Sequence, residues 1–316
     1  MWFEPLSGFV EESPEQVRAN STVDGVEMTS HVNGRRLVCG DLETPSLAEL
    51  RERVHSGTPN SSTASVREVV ANVQHLHADK DNAGSLFQVA SQFNLLEVVS
   101  PGVTPERGVG IYEYDRTQGP ACAIAAGAGT IYRNYFATVN GQTGQSATNQ
   151  IDGLADIGSA LGNSDGHLWE MENGCALATV RGVAEISDHL SAAGDSDRDR
   201  LRGLLRIGIQ WDTQVTLEDS SHKVSQAYCS ALPVAYSHHS SSLWADFAKL
   251  VLEASYEATC CAAILNTRRT ENNTTFLALL GGGASGNETE WIIHAIKRAV
   301  ELYNDYRLDV AIVSYG

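Results

Sequence analysis

Residues Gly281 to Asn287 read Gly-Gly-Gly-Ala-Ser-Gly-Asn and stand between an apolar run, Thr274–Leu280, and an amphipathic stretch, Glu290–Tyr303. A backbone without Cβ atoms can approach a ligand closely. The start of the next helix presents free N–H groups and a positive dipole end. The chemistry this arrangement suits is the holding of an anion, a phosphate above all. Gly281, Gly283 and Gly286 also fit G-x-G-x-x-G. That spacing marks a dinucleotide site only where further parallel strands follow and an acidic residue ends the next one. Here the next strand, Leu308–Val313, is expected to close the fold, so a Rossmann reading is set aside. A tight turn without a ligand is the plain alternative.

Three further polar clusters stand at strand ends, the edge at which α/β sheets collect ligands. They are Ala90-Ser-Gln-Phe-Asn94 followed by Glu97, Tyr114-Asp-Arg-Thr-Gln-Gly-Pro120, and Ser230-Ala-Leu-Pro233. Glu97 and Asp115 are the carboxylates able to do acid–base work, with Glu113 nearby. Such work needs a carboxyl within about 3 Å of the proton it moves. Each residue also has a structural use. Asn94 can cap a strand end, Glu97 can be a solvated acid at a helix start, and Asp115 can pair with Arg116. Arg133 and Asn134 can offset a helix C-terminal dipole. His222, His238 and His239 lie in polar loops without ligand spacing and are expected in solvent.

The positioning elements follow from periodicity. Ile292, Ala295, Ile296, Ala299 and Tyr303 recur at i, i+3, i+4, i+7 and i+11, one stripe of a helix. The runs flanking that helix are apolar on both faces, as buried parallel strands are, so Thr274–Val313 is a βαβ unit of an α/β sheet. Strands are expected over Phe87–Ala90, Val224–Ser230, Phe276–Leu280 and Val310–Val313, all in one sheet. Arg206–Thr216 and Lys223–Val234 read as strands, and Leu243–Leu265 as the longest helix. Thr117 and Pro120 open a small-residue helix, Ala121–Tyr135. Its Gly127 and Gly129 cost about 1 kcal/mol each against alanine, which close packing would offset. Thr44–Val54 and Ile151–Leu161 are short helices. Ser56–Ser65 and Asn140–Gln150 are loops, and Ser191–Arg200 is a charged exposed turn. Residues 1–80 are expected as an extension packed on the core of an 81–316 domain, with an insertion over about 140–205.

Hydrophobic residues make up 42% and charged residues 19% of the 316, the composition of a soluble globular protein. A net charge of −17 argues against a general nucleic-acid surface. No apolar run is long enough to span a membrane, and no secretory leader is visible. The six cysteines form no C-x-x-C pair, so no metal site is expected. Isolated thiols in apolar runs suit the cytoplasm or another reducing intracellular compartment.

An asparagine-bearing strand end, a Gly-Pro helix start, a strand closing in Ser-Ala-Leu-Pro and a late Leu-Gly-Gly-Gly-x-x-Gly-Asn together resemble the macrodomain superfamily. The nearest branch is the poly(ADP-ribose) glycohydrolase-like one. The resemblance covers about residues 86–136 and 223–316. It implies a three-layer α/β fold with a mixed sheet flanked by helices. It also implies binding of ADP-ribose or an ADP-ribosylated macromolecule, without a cofactor. By position, Asn94 would meet the distal ribose. Thr117, Gln118 and Gly119 would form one diphosphate loop, and Gly281, Gly282, Gly283, Gly286 and Asn287 the other. The glycohydrolases' Gly-Gly-Gly and Gln-Glu-Glu triplets do not occur between Ala90 and Tyr135. Hydrolysis of the ADP-ribosyl linkage would then fall to Glu97 or Asp115. A non-catalytic ADP-ribose or nucleotide module and a silent partner protein with an unoccupied cleft stay open beside it.

Overall fold

The structure, a computed structural model, describes residues 2–57, 63–217, 220–237 and 239–315. Half of the Ser56–Ser65 loop, residues 58–62, and His238 lie outside these residues. The main sheet has seven strands: β1 (Asp41–Glu43), β2 (Ser65–Val70), β3 (Leu86–Ala90), β4 (Gly208–Gln214), β5 (Lys223–Cys229), β6 (Thr274–Leu277) and β7 (Asp309–Ser314). Their spatial order is β1-β4-β5-β3-β6-β7-β2. From β5 through β2 every pairing is parallel, while β4 runs antiparallel to both its neighbours. The four expected strands lie side by side, with β6 in the interior between β3 and β7. The mixed, mostly parallel sheet read from the sequence is the one observed.

Side-chain alternation divides the strands between two apolar layers. Leu86, Ala227, Cys229, Leu277 and Val310 face one core cluster, and Phe87, Val89, Val224, Tyr228, Phe276 and Ala311 the other. Eight helices matter to the layers, in chain order α1 (Leu47–His55), α2 (Val73–Ala78), α3 (Gln118–Ala125), α4 (Gly127–Tyr135), α5 (Val180–Ala192), α6 (Asp195–Leu204), α7 (Ser241–Thr270) and α8 (Thr289–Leu302). α7 lies against β3, β5 and β6 and is covered in turn by α1, α5, α6 and α8. It is therefore buried nearly all round from Phe247 to Asn266. Its Glu257 enters this layer only because Arg51 and Arg298 reach it, at 2.5 and 2.7 Å. α2, α3 and α4 cover the opposite face.

Four expectations change. The small-residue helix is two helices, because Ala126 leaves helical geometry at φ −116°, ψ 55°. Its glycines meet neighbours closely: a Cβ on Gly129 would stand 2.8 Å from Thr213 Oγ1. The charged segment read as a turn, Ser191–Arg200, is mostly helical, since Leu201 and Gly203 anchor α6 while Asp195 and Asp197 are exposed and Asp199 pairs with Arg51. The first eighty residues do more than pack on the core, as they supply both edge strands, β1 and β2. Arg133 points into the core instead of offsetting a helix dipole at the surface. Among the described residues no helix is long and apolar enough to cross a membrane, and no His, Cys, Asp and Glu cluster could hold a metal ion.

Candidate ligand site

A cavity of about 550 Å³ opens at the carboxyl ends of β3, β5, β6 and β7, where Ala90, Cys229, Ala278 and Ser314 line it. Two loops close its sides. The first is Asp115–Pro120, running into α3. Thr117 is the N-cap residue, but its side chain makes no cap. The N–H groups of Gln118 and Gly119 accordingly have no acceptor among the described residues. The Gln118 side chain extends the strand edge instead: Oε1 accepts from Ala90 N at 2.9 Å, and Nε2 donates to the Gln88 carbonyl at 2.8 Å. This anchors the first turn of the helix at the cavity.

The second loop follows β6. Gly281, Gly283, Ala284 and Ser285 line the cavity, and their N–H groups also lack acceptors among the described residues. Gly281 (φ +72°) and Gly286 (φ +70°) hold left-handed backbone that other residues rarely adopt. A row of unpaired amides bordering one cavity is an anion-binding arrangement.

The expected ligand residues thus divide. Thr117, Gln118, Gly119, Gly281 and Gly283 line the cavity, as do Glu97 and Asp115. Gly282 packs toward Ile292, and Gly286 against Ala235. Asn287 faces inward, where Nδ2 donates to the Leu232 carbonyl at 2.8 Å. None of these three lines the cavity, and neither does the start of α8, because the lining part of the loop stops at Ser285. Asn94 is fully buried away from the cavity. Its Nδ2 donates to Gln150 Oε1 at 2.8 Å, and its Oδ1 accepts from Leu96 N at 3.0 Å, so its amide serves the turn after β3.

Glu97 is buried rather than a solvated acid at a helix start. Arg133 Nη2 donates to its two oxygens at 3.0 and 3.2 Å, with both side chains fully buried. Burial pushes the Glu97 carboxyl up to about 7, against the downward pull of the Arg133 charge. Asp115 Oδ1 accepts from Thr117 N at 2.8 Å and forms no ion pair with Arg116. Arg116 is exposed at the cavity, without an ion pair among the described residues. Cys229 is no nucleophile, since burial pushes its thiol up to about 11. Tyr236 and Tyr315, 40% and 52% exposed, add aromatic faces to the lining.

The sequence gives Arg133 only a helix-dipole role, and Tyr228, Tyr236 and Tyr315 were passed over. For Tyr228 a signal existed. Val224, Gln226 and Tyr228 share one face of the strand, and a glutamine between a valine and a tyrosine there implies a buried polar partner.

No protein-family model and no curated protein matches the chain. Among solved structures it is similar to poly(ADP-ribose) glycohydrolase from Deinococcus radiodurans in complex with ADP-ribose, at 12% identity and a TM-score of 0.44 over 86% of this chain and 85% of that one. It is also similar to poly(ADP-ribose) glycohydrolase from Thermomonospora curvata, at 9% identity and a TM-score of 0.45 over 95% of this chain and 89% of that one. The Thermomonospora curvata protein bound to the inhibitor ADP-HPD gives 9% identity and a TM-score of 0.43, with the same coverage.

Proposed function

We propose that the cavity binds ADP-ribose or an ADP-ribosyl group carried on a macromolecule. The observation that carries this reading is the pair of loops whose free amides border one cavity, Gln118 and Gly119 on one and Gly281 and Gly283–Ser285 on the other. Two such loops suit a diphosphate, and in a chain of net charge −17 they meet it with dipoles and Arg116 in place of a basic patch. The cavity volume lies within the range of about 300–1,000 Å³ of small-molecule sites. Tyr236 and Tyr315 offer faces on which a base can stack. The sequence resemblance to macrodomains points the same way. The six cysteines are all buried and free, which supports a reducing compartment.

A second reading, hydrolysis of the ADP-ribosyl linkage, is favoured by Glu97. The carboxyl of a cavity-lining residue that titrates near neutrality can hold a proton for a leaving group or take one from water. The reaction would pass through an oxocarbenium-like state at C1″ of the distal ribose. Asp115, with one oxygen engaged by Thr117 N, is the other candidate for the proton. Capture of ADP-ribosylated protein by the immobilised chain, competed by free ADP-ribose, tests the binding reading, and failure to capture contradicts it. Release of ADP-ribose by wild type, beside Glu97→Gln and Asp115→Asn, tests hydrolysis. Turnover lost in one variant while capture persists identifies the enzyme. Capture without turnover identifies a binding module, and neither identifies a silent fold.

A further inference from the structure

A line of buried polar side chains runs through the apolar layer that α2, α3 and α4 form with the sheet, and it ends at the cavity. His77, Gln226, Tyr228, Arg133 and Glu97 are each no more than 2% exposed. Every link has a fixed direction. His77 is held neutral, its pKa lowered by burial to about 4, and its Nδ1–H donates to the Val73 carbonyl at 2.8 Å. Its Nε2 is therefore an acceptor, and Gln226 Nε2 fills it at 3.0 Å while also donating to the Cys122 carbonyl at 2.9 Å. That turns Gln226 Oε1 toward Tyr228, whose hydroxyl donates to it. The Tyr228 oxygen then accepts from Arg133 Nη1, and the guanidinium lies over the Tyr228 ring at 3.7 Å. The Arg133 Nε donates to the Leu95 carbonyl at 3.1 Å, and Nη2 donates to Glu97.

We propose that Arg133 and Tyr228 are positioning residues for the ligand site: the guanidinium, fixed by the Tyr228 hydroxyl and the Leu95 carbonyl, holds the carboxyl of Glu97, a residue of the cavity lining, through Nη2 and so sets how readily it takes a proton. The geometry stands without a ligand, but its use rests on the binding reading above. The other titratable groups packed around Glu97 are the Tyr112 hydroxyl, which accepts from Glu97 N at 3.1 Å, and the Cys122 thiol. Burial pushes both of their ionisations well up, so both stay neutral across the neutral range. Asp115 lines the same cavity.

The test is the titration of the Glu97 carboxyl by carbon-13 NMR, its signal assigned by its absence in Glu97→Gln, together with the pH profile of ADP-ribose affinity. Tyr228→Phe removes an acceptor of Arg133 and frees the guanidinium to shift from Glu97. The Glu97 midpoint is expected to rise by about one pH unit, and the affinity profile to move with it. Gln226→Leu removes the Tyr228 acceptor one link farther away and should raise the midpoint less. It carries the test if Tyr228→Phe does not fold. A lowered melting temperature with an unmoved midpoint in the folded variants would overturn the inference and leave these residues a purely structural role. If wild type binds no ADP-ribose the ligand reading fails, while the carboxyl titration still decides this one.

Discussion

The carbonyl oxygen of Ala90 lies 2.0 Å from where a Cβ on Gly119 would stand. The first turn of α3 is thus laid directly on the end of β3, with the Glu97 Cγ 3.2 Å from the same point. No flexible side chain can give way here, because the obstacle is backbone. Gly119→Ala should destabilise the fold by about 2–4 kcal/mol in chemical denaturation and weaken ADP-ribose binding in the folded fraction. Unchanged stability would mean that the two elements are not in contact.

Gly283 is the opposite case. It lines the cavity, has ordinary backbone geometry, and a Cβ there would meet nothing within 4 Å. Gly283→Phe should leave stability within about 0.5 kcal/mol while filling the space assigned to the diphosphate. Calorimetry of this variant should show ADP-ribose binding lost and the melting temperature kept. Binding at wild-type strength would place the ligand elsewhere.

Glu97 makes stability depend on pH with a definite sign. Its carboxyl titrates at about 7 in the fold against an ordinary 4.5, so the fold holds this proton more tightly than the unfolded chain does. The contribution is fully present below pH 4.5 and is lost as the pH rises through 7. Relative to Glu97→Gln, which lacks the group, wild type should lose about 2 kcal/mol between pH 5 and pH 8. Denaturation curves at the two values check this, and a difference that grows with pH would reverse the assignment.

Removing the counter-ion is a separate test. Arg133→Met takes the counter-ion from Glu97 and should cost about 3–5 kcal/mol above pH 7, where the carboxyl is ionised in wild type, and less at lower pH, where it is already protonated. The double variant Arg133→Met with Glu97→Gln should recover part of that loss, and a double-mutant cycle measures how much. Simple additivity would show that the pair is not coupled.

The sheet was legible in the sequence because its central strands are apolar on both faces and the stripe from Ile292 to Tyr303 keeps one helical period. The cavity edge followed from where those strands stop. Other features depend on partners distant in sequence. Asn94 turns inward because Gln150, 56 residues farther along the chain, meets its amide. Arg133 turns inward because Glu97 and Tyr228 wait there. The two edge strands come from a polar segment whose pairing only the assembled sheet supplies: β2 is exposed along nearly its whole length and carries no inward face to read. The glycine loop was found, but the start of α8 lies outside the cavity, since the turn from Gly286 to Glu288 carries the chain away from it.

The central claim is a diphosphate-binding cavity between the Gln118 and Gly283 loops. Isothermal titration of the wild-type chain with ADP-ribose, AMP and NAD tests it most directly. The account predicts saturable binding of ADP-ribose, well below about 1 mM, and weaker binding of AMP, which lacks the second phosphate and the distal ribose. A folded chain that shows no ADP-ribose binding below about 1 mM would contradict it.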